Sequence, residues 1–221
     1  MAGGEMMLFD IHVHENLFSA DSHLSPEQVF EEAVAAGLDG VCITDHESKG
    51  FKAYLDKYEA IYDLKIIVGA EVLTRQGDIL VFGLDRLPDK VIPANVLLAE
   101  VARAGGIAIA AHPFRNNYRG IGDNIDNLAE LLHGIEGLNG STSNRNNYLA
   151  RKSANYNNLP LLGGSDAHRP GRVGKYITEV EAEVNNEIDF INAVRSGRVR
   201  PLYRHKDQYL SLKTLERAEA V

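Results

Sequence analysis

The chain has 221 residues, 44% hydrophobic and 24% charged, with a net charge of −8 and a single cysteine. That composition supports one sizeable core, excludes an internal disulfide and disfavours general nucleic-acid affinity, although a local basic rim is compatible with it. No apolar run approaches the ~20 residues of a membrane span, and MAGGEMMLF lacks the basic start of a signal peptide, so no membrane partner is expected; the single cysteine makes a cytoplasmic location the default expectation.

In chain order, MLFDI predicts a buried strand. Ser25-Pro26-Glu27-Gln28 is a helix start, with Ser at the N-cap, Pro at the first helical position and Gln three residues beyond the cap; Gly37 is a natural stop. Strands follow at GVCIT (Gly40 to Thr44), at KIIVGAE (Lys65 to Glu71) and, after a turn at Gln76-Gly77-Asp78, at ILVFGL. A helix from Pro93 to Ala104 leads through Gly105-Gly106 into the strand IAIAA, and a helical segment from Ile125 to His133 feeds IEGL. The asparagine-rich stretch from Asn139 to Asn158 reads as a polar helix with its loops, because Tyr148, Leu149, Ala150, Arg151 and Lys152 carry helix propensity. LPLLGG and YITEVEAEV complete the set. No Pro/Ser-rich linker interrupts the pattern, so residues 1–221 are expected to form a single domain.

Strands alternating with helices imply an α/β fold with a largely parallel sheet. About eight short strands in a chain of this length suit a closed barrel better than an open sheet. The connection from Glu71 to Ile79 is too short for a helical crossover, so the barrel is expected to be irregular, with at least one antiparallel pair.

The chemistry gathers at strand ends. Strand one ends at Asp10, His12 and His14, strand two at Thr44-Asp45-His46, and strand three at Glu71. IAIAA ends in His112-Pro113 and LPLLGG in Ser165-Asp166-Ala167-His168. In parallel barrels these ends form the active face. Five of the eight histidines are the first polar groups after a buried strand, which points to a ring of metal ligands. His12 and His14, at i and i+2, project to one side of an extended chain. Asp21 is preferred to His23 as the ligand from the following loop, against the plainer reading of a turn aspartate capping a helix. Ligating histidines need an acceptor on the far ring nitrogen, a place Asp45 or Asp10 could fill, while Asp166 is expected to ligate directly. A buried carboxylate at Glu71 is costly unless paired, and bridging two cations is the economical solution. Arg115 and Arg169 adjoin these residues, where a fork of donors can clamp phosphate oxygens. Arg172 reads as a solvated arginine, His23, His133 and His205 as ordinary histidines, and Cys42 as core. The phosphate-binding GxxxxGK[ST] loop, a GxGxxG after a strand, the GxSxG elbow and paired CxxC motifs are all lacking.

As a set, DIHVHE…SADSHLSPEQV, ITDH, GAEV, AAHPF and GGSDAH resemble the PHP (polymerase and histidinol phosphatase) superfamily, in order, from Phe9 to Gly174. The resemblance implies a distorted (β/α)7 barrel with a two- or three-metal centre of zinc, manganese or iron at the C-terminal ends of the strands. It implies His12, His14, Asp21, His46, Glu71, His112, Asp166 and His168 as ligands. There are departures from the usual pattern. The loop from His14 to Asp21 is one residue longer. The ligand position between His112 and Asp166 is either filled by Glu136 or Asn139 or left empty. Leu80 stands about where some nucleotide-acting members carry a histidine. The expected activity is metal-dependent hydrolysis of a small phosphomonoester, with Glu71, His168 and Arg115 catalytic and Arg115 and Arg169 holding substrate. A phosphodiesterase or exonuclease acting on nucleotides or nucleic-acid ends is the alternative enzyme. A non-catalytic metal-binding or regulatory module is the alternative of another class.

Overall fold

The computed structural model describes residues 6–214. β1 (Met7–Val13) is almost wholly buried and leads to α1 (Pro26–Ala35), which starts as expected: the Ser25 hydroxyl accepts from the Gln28 amide and the Gln28 side chain accepts from the Ser25 amide. β2 (Gly40–Ile43) and the short α2 (Leu55–Glu59) follow. The segment expected as one strand from Lys65 to Glu71 is broken into β3 (Lys65–Val68) and β4 (Ala70–Leu73). The break falls at Gly69, where a β-carbon would lie 2.5 Å from the Phe82 ring.

Next come β5 (Asp78–Phe82), α3 (Ala94–Ala104) and β6 (Ile107–Ala110). The helix expected from Ile125 to His133 shortens to α4 (Ile125–Leu128), with a tight 3₁₀ turn over Ala129–Leu131. β7 (Gly134–Asn139), the polar α5 (Asn144–Asn157), β8 (Leu161–Gly164) and β9 (Tyr176–Val180) match their sequence signals. Beyond them lie α6 (Glu187–Arg195), β10 (Val199–His205) and β11 (Gln208–Ser211). The sequence reading missed these three, because VRPLYRH interrupts its apolar residues with charges and a proline.

The strands form two sheets, ordered β11-β10-β9-β1-β2-β3 and β4-β5-β6-β7-β8. They meet at two seams. At one, the Gly69 amide donates to the Ile43 carbonyl at 2.9 Å and His46 bridges Glu71. At the other, the Asp166 amide donates to the His12 carbonyl at 2.7 Å and Val13 bridges Ala167. With β3 and β4 taken as one broken strand, the strands from β1 to β8 make the distorted barrel. β5 runs antiparallel to both its neighbours, as the short connection before it requires. β9 and β10 extend the sheet from the N-terminal half of β1.

The interior is divided along its axis. One end is filled by Phe9, Ile11, Cys42, Leu80, Phe82 and Ile109, closed by Phe190 of α6, whose ring lies 5.1 Å from that of Phe82. The other end is polar. Among the described residues no helix is long and apolar enough to cross a membrane.

Candidate metal centre

The polar end is built by the strand termini. In β1, Phe9 and Ile11 pack into the apolar interior, and the register with β2 shifts between Asp10 and Val13. Such an irregularity changes the parity of a strand. His12 and His14 therefore follow Phe9 and Ile11 inward, with their Nε2 atoms 3.0 Å apart. Glu71, at the start of β4, lies between several rings. Its Oε1 is 2.7 Å from His112 Nε2, while its Oε2 is 3.0 Å from His46 Nδ1, 3.3 Å from His14 Nε2 and 3.5 Å from His12 Nε2. Asp166 Oδ1 lies 3.6 Å from Nε2 of both His12 and His14, and His168 stacks on His14 with ring centroids 4.2 Å apart. Asp21 stands at the rim, 59% exposed, with Oδ2 3.2 Å from His46 Nε2 and 3.4 Å from His168 Nε2. All eight residues expected as ligands thus gather in one cluster at the polar end of the barrel.

The structure adds Asp78, which the sequence reading did not single out. Because β5 is reversed, its first residue lies on the face where the other strands end. Asp78 is fully buried, with Oδ2 3.8 Å from His112 Nε2. Among the described residues, four overlapping groups of donor atoms result: His14, His46 and His168; His12, His14 and Glu71; His12, His112 and Asp166; and Glu71, Asp78 and His112.

The far sides of the rings are held. Glu136, buried on β7, places Oε1 3.0 Å from His12 Nδ1, and its Oε2 accepts from the His112 amide at 2.8 Å and from Asn139 Nδ2 at 2.9 Å. Glu136 and Asn139 both face the site, as a ring support and as a link to Asp166, whose Oδ2 accepts from Asn139 Nδ2 at 3.2 Å. Asp45 acts one step removed: it accepts from the Ser19 hydroxyl at 2.8 Å, and Ser19 Oγ is 3.2 Å from His14 Nδ1. Asp10 does not support a ring. Its carboxylate accepts from the Ser165 and Gly174 amides at 2.9 and 2.8 Å, so it fastens loop backbone instead. His112 and Asp166 adopt positive φ, 27° and 51°, a conformation that costs a non-glycine residue free energy and is concentrated at functional sites.

These surroundings set the charges. Burial alone would neutralise His12, but Glu136, Asp166 and Glu71 outweigh it and hold its pKa well above the usual range. His14, where burial prevails, is pushed down to about 3. His46 is pushed up to about 9, because Glu71 and Asp21 outweigh its burial. Burial also opposes ionisation of Glu71, yet His12 and His112 hold it well below the normal carboxylate range. Burial and the neighbouring Glu71 push Asp78 up to about 7.

This donor set fits divalent metal ions. Donors bound to one ion at ~2.0–2.2 Å sit roughly 3 Å from each other, the separation of the two facing Nε2 atoms. Asp166 Oδ1, Asp78 Oδ1 and His112 Nδ1 are buried with no hydrogen-bond partner, and such groups are costly unless satisfied. Nitrogen and oxygen donors without thiolate suit zinc, manganese or iron.

A pH dependence follows. Metal ligation at a ring nitrogen displaces any proton held there. His46 holds its proton up to about pH 9 in the metal-free protein. Apparent metal affinity should therefore rise with pH towards 9, with proton release on binding, read by calorimetry in buffers of different ionisation enthalpy. In the metal-free protein the sign is opposite. Stabilisation from protonated His46 is complete below its unfolded value of 6.5 and is lost as the pH rises through about 9.

Arginines surround the ring. Arg115 pairs with Asp166 and donates to Asn139 Oδ1 at 3.2 Å. Arg119, absent from the sequence-level site, donates through Nε to Asp78 Oδ2 at 2.6 Å, while its carbonyl accepts from the Asp78 amide at 2.8 Å. A cavity of about 540 Å³ opens over Asp166 and His168, walled by Arg115, Ser141, Arg169 and Arg172. Arg172 is exposed, as expected of a solvated side chain, but it shares this cavity with Arg169. A second cavity, of about 390 Å³, lies against Asp21, His46, Arg115, Arg119 and His168. His23 and His205 are exposed, and His133 accepts from the Ala108 amide away from the ring.

Fold and site together define a barrel with a multidentate, metal-compatible centre at one end. Known proteins resemble the chain in part of its sequence and in its fold. The PHP-associated family (PHP_C) matches residues 144–199. Uncharacterized protein MJ1587 of Methanocaldococcus jannaschii is 28% identical over 142 residues, covering 60% of this chain and 82% of that protein. A two-domain protein from Bacteroides vulgatus containing a predicted PHP-like metal-dependent phosphoesterase superimposes with a TM-score of 0.76 at 21% identity, over 98% of this chain and 70% of that one. The lesion-specific endonuclease PfuEndoQ from Pyrococcus furiosus shares the fold with a TM-score of 0.66 at 17% identity, over 87% of this chain and 56% of that one. The profile match covers only part of the chain, and with the shared fold and the ordered motifs it makes the chain similar to proteins of the PHP superfamily.

Proposed function

We propose that the protein is a metal-dependent hydrolase of phosphoesters, acting on small phosphomonoesters. The observation that carries this reading is Glu71: one carboxylate whose two oxygens face different sets of rings, His112 on one side and His12, His14 and His46 on the other. That is the disposition needed to hold two cations. The PHP-like phosphoesterase and endonuclease relatives support hydrolysis of a phosphate ester as the reaction class.

His12, His14, Asp21, His46, Glu71, His112, Asp166 and His168, with Asp78 beside them, would hold two or three divalent ions. Bound there, such ions supply Lewis-acid activation of the phosphoryl group and a nucleophilic water near neutral pH. The chain's own groups do the rest. Glu136 and the Asp45–Ser19 pair fix the orientation of His12 and His14. Arg115 and Arg169 face the cavity with guanidinium forks that suit non-bridging phosphate oxygens, whose charge grows in the transition state. His168 borders both cavities and would sit, as a metal ligand, where the two meet.

The monoester is favoured over a nucleic-acid end by the cavity walls, which are arginine, asparagine and serine rather than the aromatic rings on which bases stack. A non-catalytic module would need only about four closed ligands, fewer than are gathered here.

A screen of phosphate mono- and diesters with manganese or zinc added tests the reading. Turnover of monoesters is expected, and preference for diesters or oligonucleotide ends would replace the substrate class. On the best substrate, Arg115→Ala should lower kcat/KM by roughly 10- to 100-fold, the loss of one or two charge-assisted hydrogen bonds. Arg115→Lys should not restore it, because an ammonium cannot form the bidentate fork. Activity of Arg115→Ala within twofold of wild type would remove Arg115 from the site and make Arg169 the leading candidate.

A further inference from the structure

A third concavity lies at the rim beside the metal centre. It has a volume of about 510 Å³, within the usual range for a small-molecule subsite. Its lining is mixed: Val72 and Leu73 from β4 and Leu87, Pro88 and Val91 from the loop between β5 and α3 form an apolar stretch, while Glu47, Asp89, Lys90 and Arg119 are charged. That loop is fastened at its end, where the Ile92 carbonyl accepts from the Arg75 amide at 3.0 Å and Gln76 Oε1 accepts from the Ala94 amide at 2.8 Å. Val91 is 48% exposed in it.

The groove is continuous with the metal site. Glu47 and Arg119 line both the groove and the cavity against His46 and His168. Arg119 is held at this junction by Asp78, and Glu47 Oε1 accepts from the Leu73 amide at 3.0 Å. The cavity on the other flank is arginine-rich, with Arg115, Arg169 and Arg172. The ring of donors thus has a strongly cationic flank and one where five apolar residues are flanked by charges of both signs. A phosphomonoester has the same asymmetry if its alcohol is hydrophobic.

We propose that this groove is the leaving-group subsite, taking the alcohol half of the substrate, and that the alcohol carries an aromatic or branched apolar group. The inference rests on the hydrolase reading above. With the phosphoryl group at the metal ring, the alcohol leaves along the groove past Arg119, whose charge suits the ester end of the molecule. Burying apolar surface against Val72, Leu87 and Val91 supplies selectivity among alcohols.

The test uses non-hydrolysable probes, so that binding is read without turnover. The manganese-loaded protein is titrated calorimetrically with benzylphosphonate and with methylphosphonate. Benzylphosphonate should bind about tenfold tighter or better, as expected from withdrawing much of one ring from water. Val91→Asp, which wets the groove, and Leu87→Trp, which fills it, should each reduce that advantage to within about threefold, a loss of selectivity read against the same methyl probe. Equal affinities in the wild type, or an undiminished benzyl advantage in both variants, would overturn the subsite. A benzyl preference that the variants abolish, in a protein that cleaves no ester in the screen, would leave the subsite standing and refute the hydrolase reading.

Discussion

Glu71→Gln should lower phosphoester turnover by roughly 100- to 1000-fold or more, the scale seen when one strong electrostatic contact to a reacting centre is lost. Glutamine keeps the shape of the side chain, and the Glu71 amide still donates to the Thr44 and Asp45 carbonyls at 3.2 and 3.1 Å, so the seam between β2 and β4 should survive. What is lost is the charge that His12, His14, His46 and His112 surround. Metal content should fall with activity, since an amide oxygen is a weaker ligand and cannot offset two cations. Steady-state kinetics and elemental analysis on the same preparation check both. Wild-type turnover at full metal content would remove Glu71 from its bridging role.

Gly164→Ala carries the second large effect. A β-carbon at Gly164 would lie 2.6 Å from His12 Cβ and 2.7 Å from Glu136 Oε1, both fully buried. Neither neighbour can withdraw freely. His12 is on β1, and Glu136 also holds the His112 amide and Asn139. Overpacking of this kind costs about 1–3 kcal/mol. The larger consequence is chemical, because displacing His12 or Glu136 disturbs the donor around which the ring is built. Thermal unfolding should show a lower Tm, and metal affinity should drop more than the stability loss alone would suggest. An alanine variant with wild-type Tm and metal binding would mean that β8 lies further from β1 than described.

Most of the clustered residues legible in the sequence end parallel strands; Asp21, in the loop after β1, and Glu71, near the start of β4, are the exceptions. His12, His14, His46, His112, Asp166 and His168 each follow an apolar run, and a parallel barrel places all such positions on one face. Asp78 escaped because it begins a strand instead of ending one. The signal that could have found it was available: the connection from Glu71 to Ile79 is too short for a crossover, so β5 must run backwards, and the first residue of a reversed strand lies where the others end. Glu136 was visible only as one of two options, because it precedes the end of β7 and faces inward through a register irregularity between Glu136 and Leu138. Arg119 had no signal. It reaches Asp78 from a loop whose path depends on tertiary contacts, including the bond between its own carbonyl and the Asp78 amide. The strand break at Gly69 was hidden by an unbroken apolar run, since the cause is a ring from β5 pressed against the backbone.

The most direct test of a multinuclear, hydrolytic centre is the metal content of the protein as purified without chelator. Elemental analysis should find two or more divalent ions of zinc, manganese or iron per chain, lost on exhaustive chelation and regained when those metals are supplied. One ion or none, with no further uptake on adding zinc, manganese or iron, would contradict it.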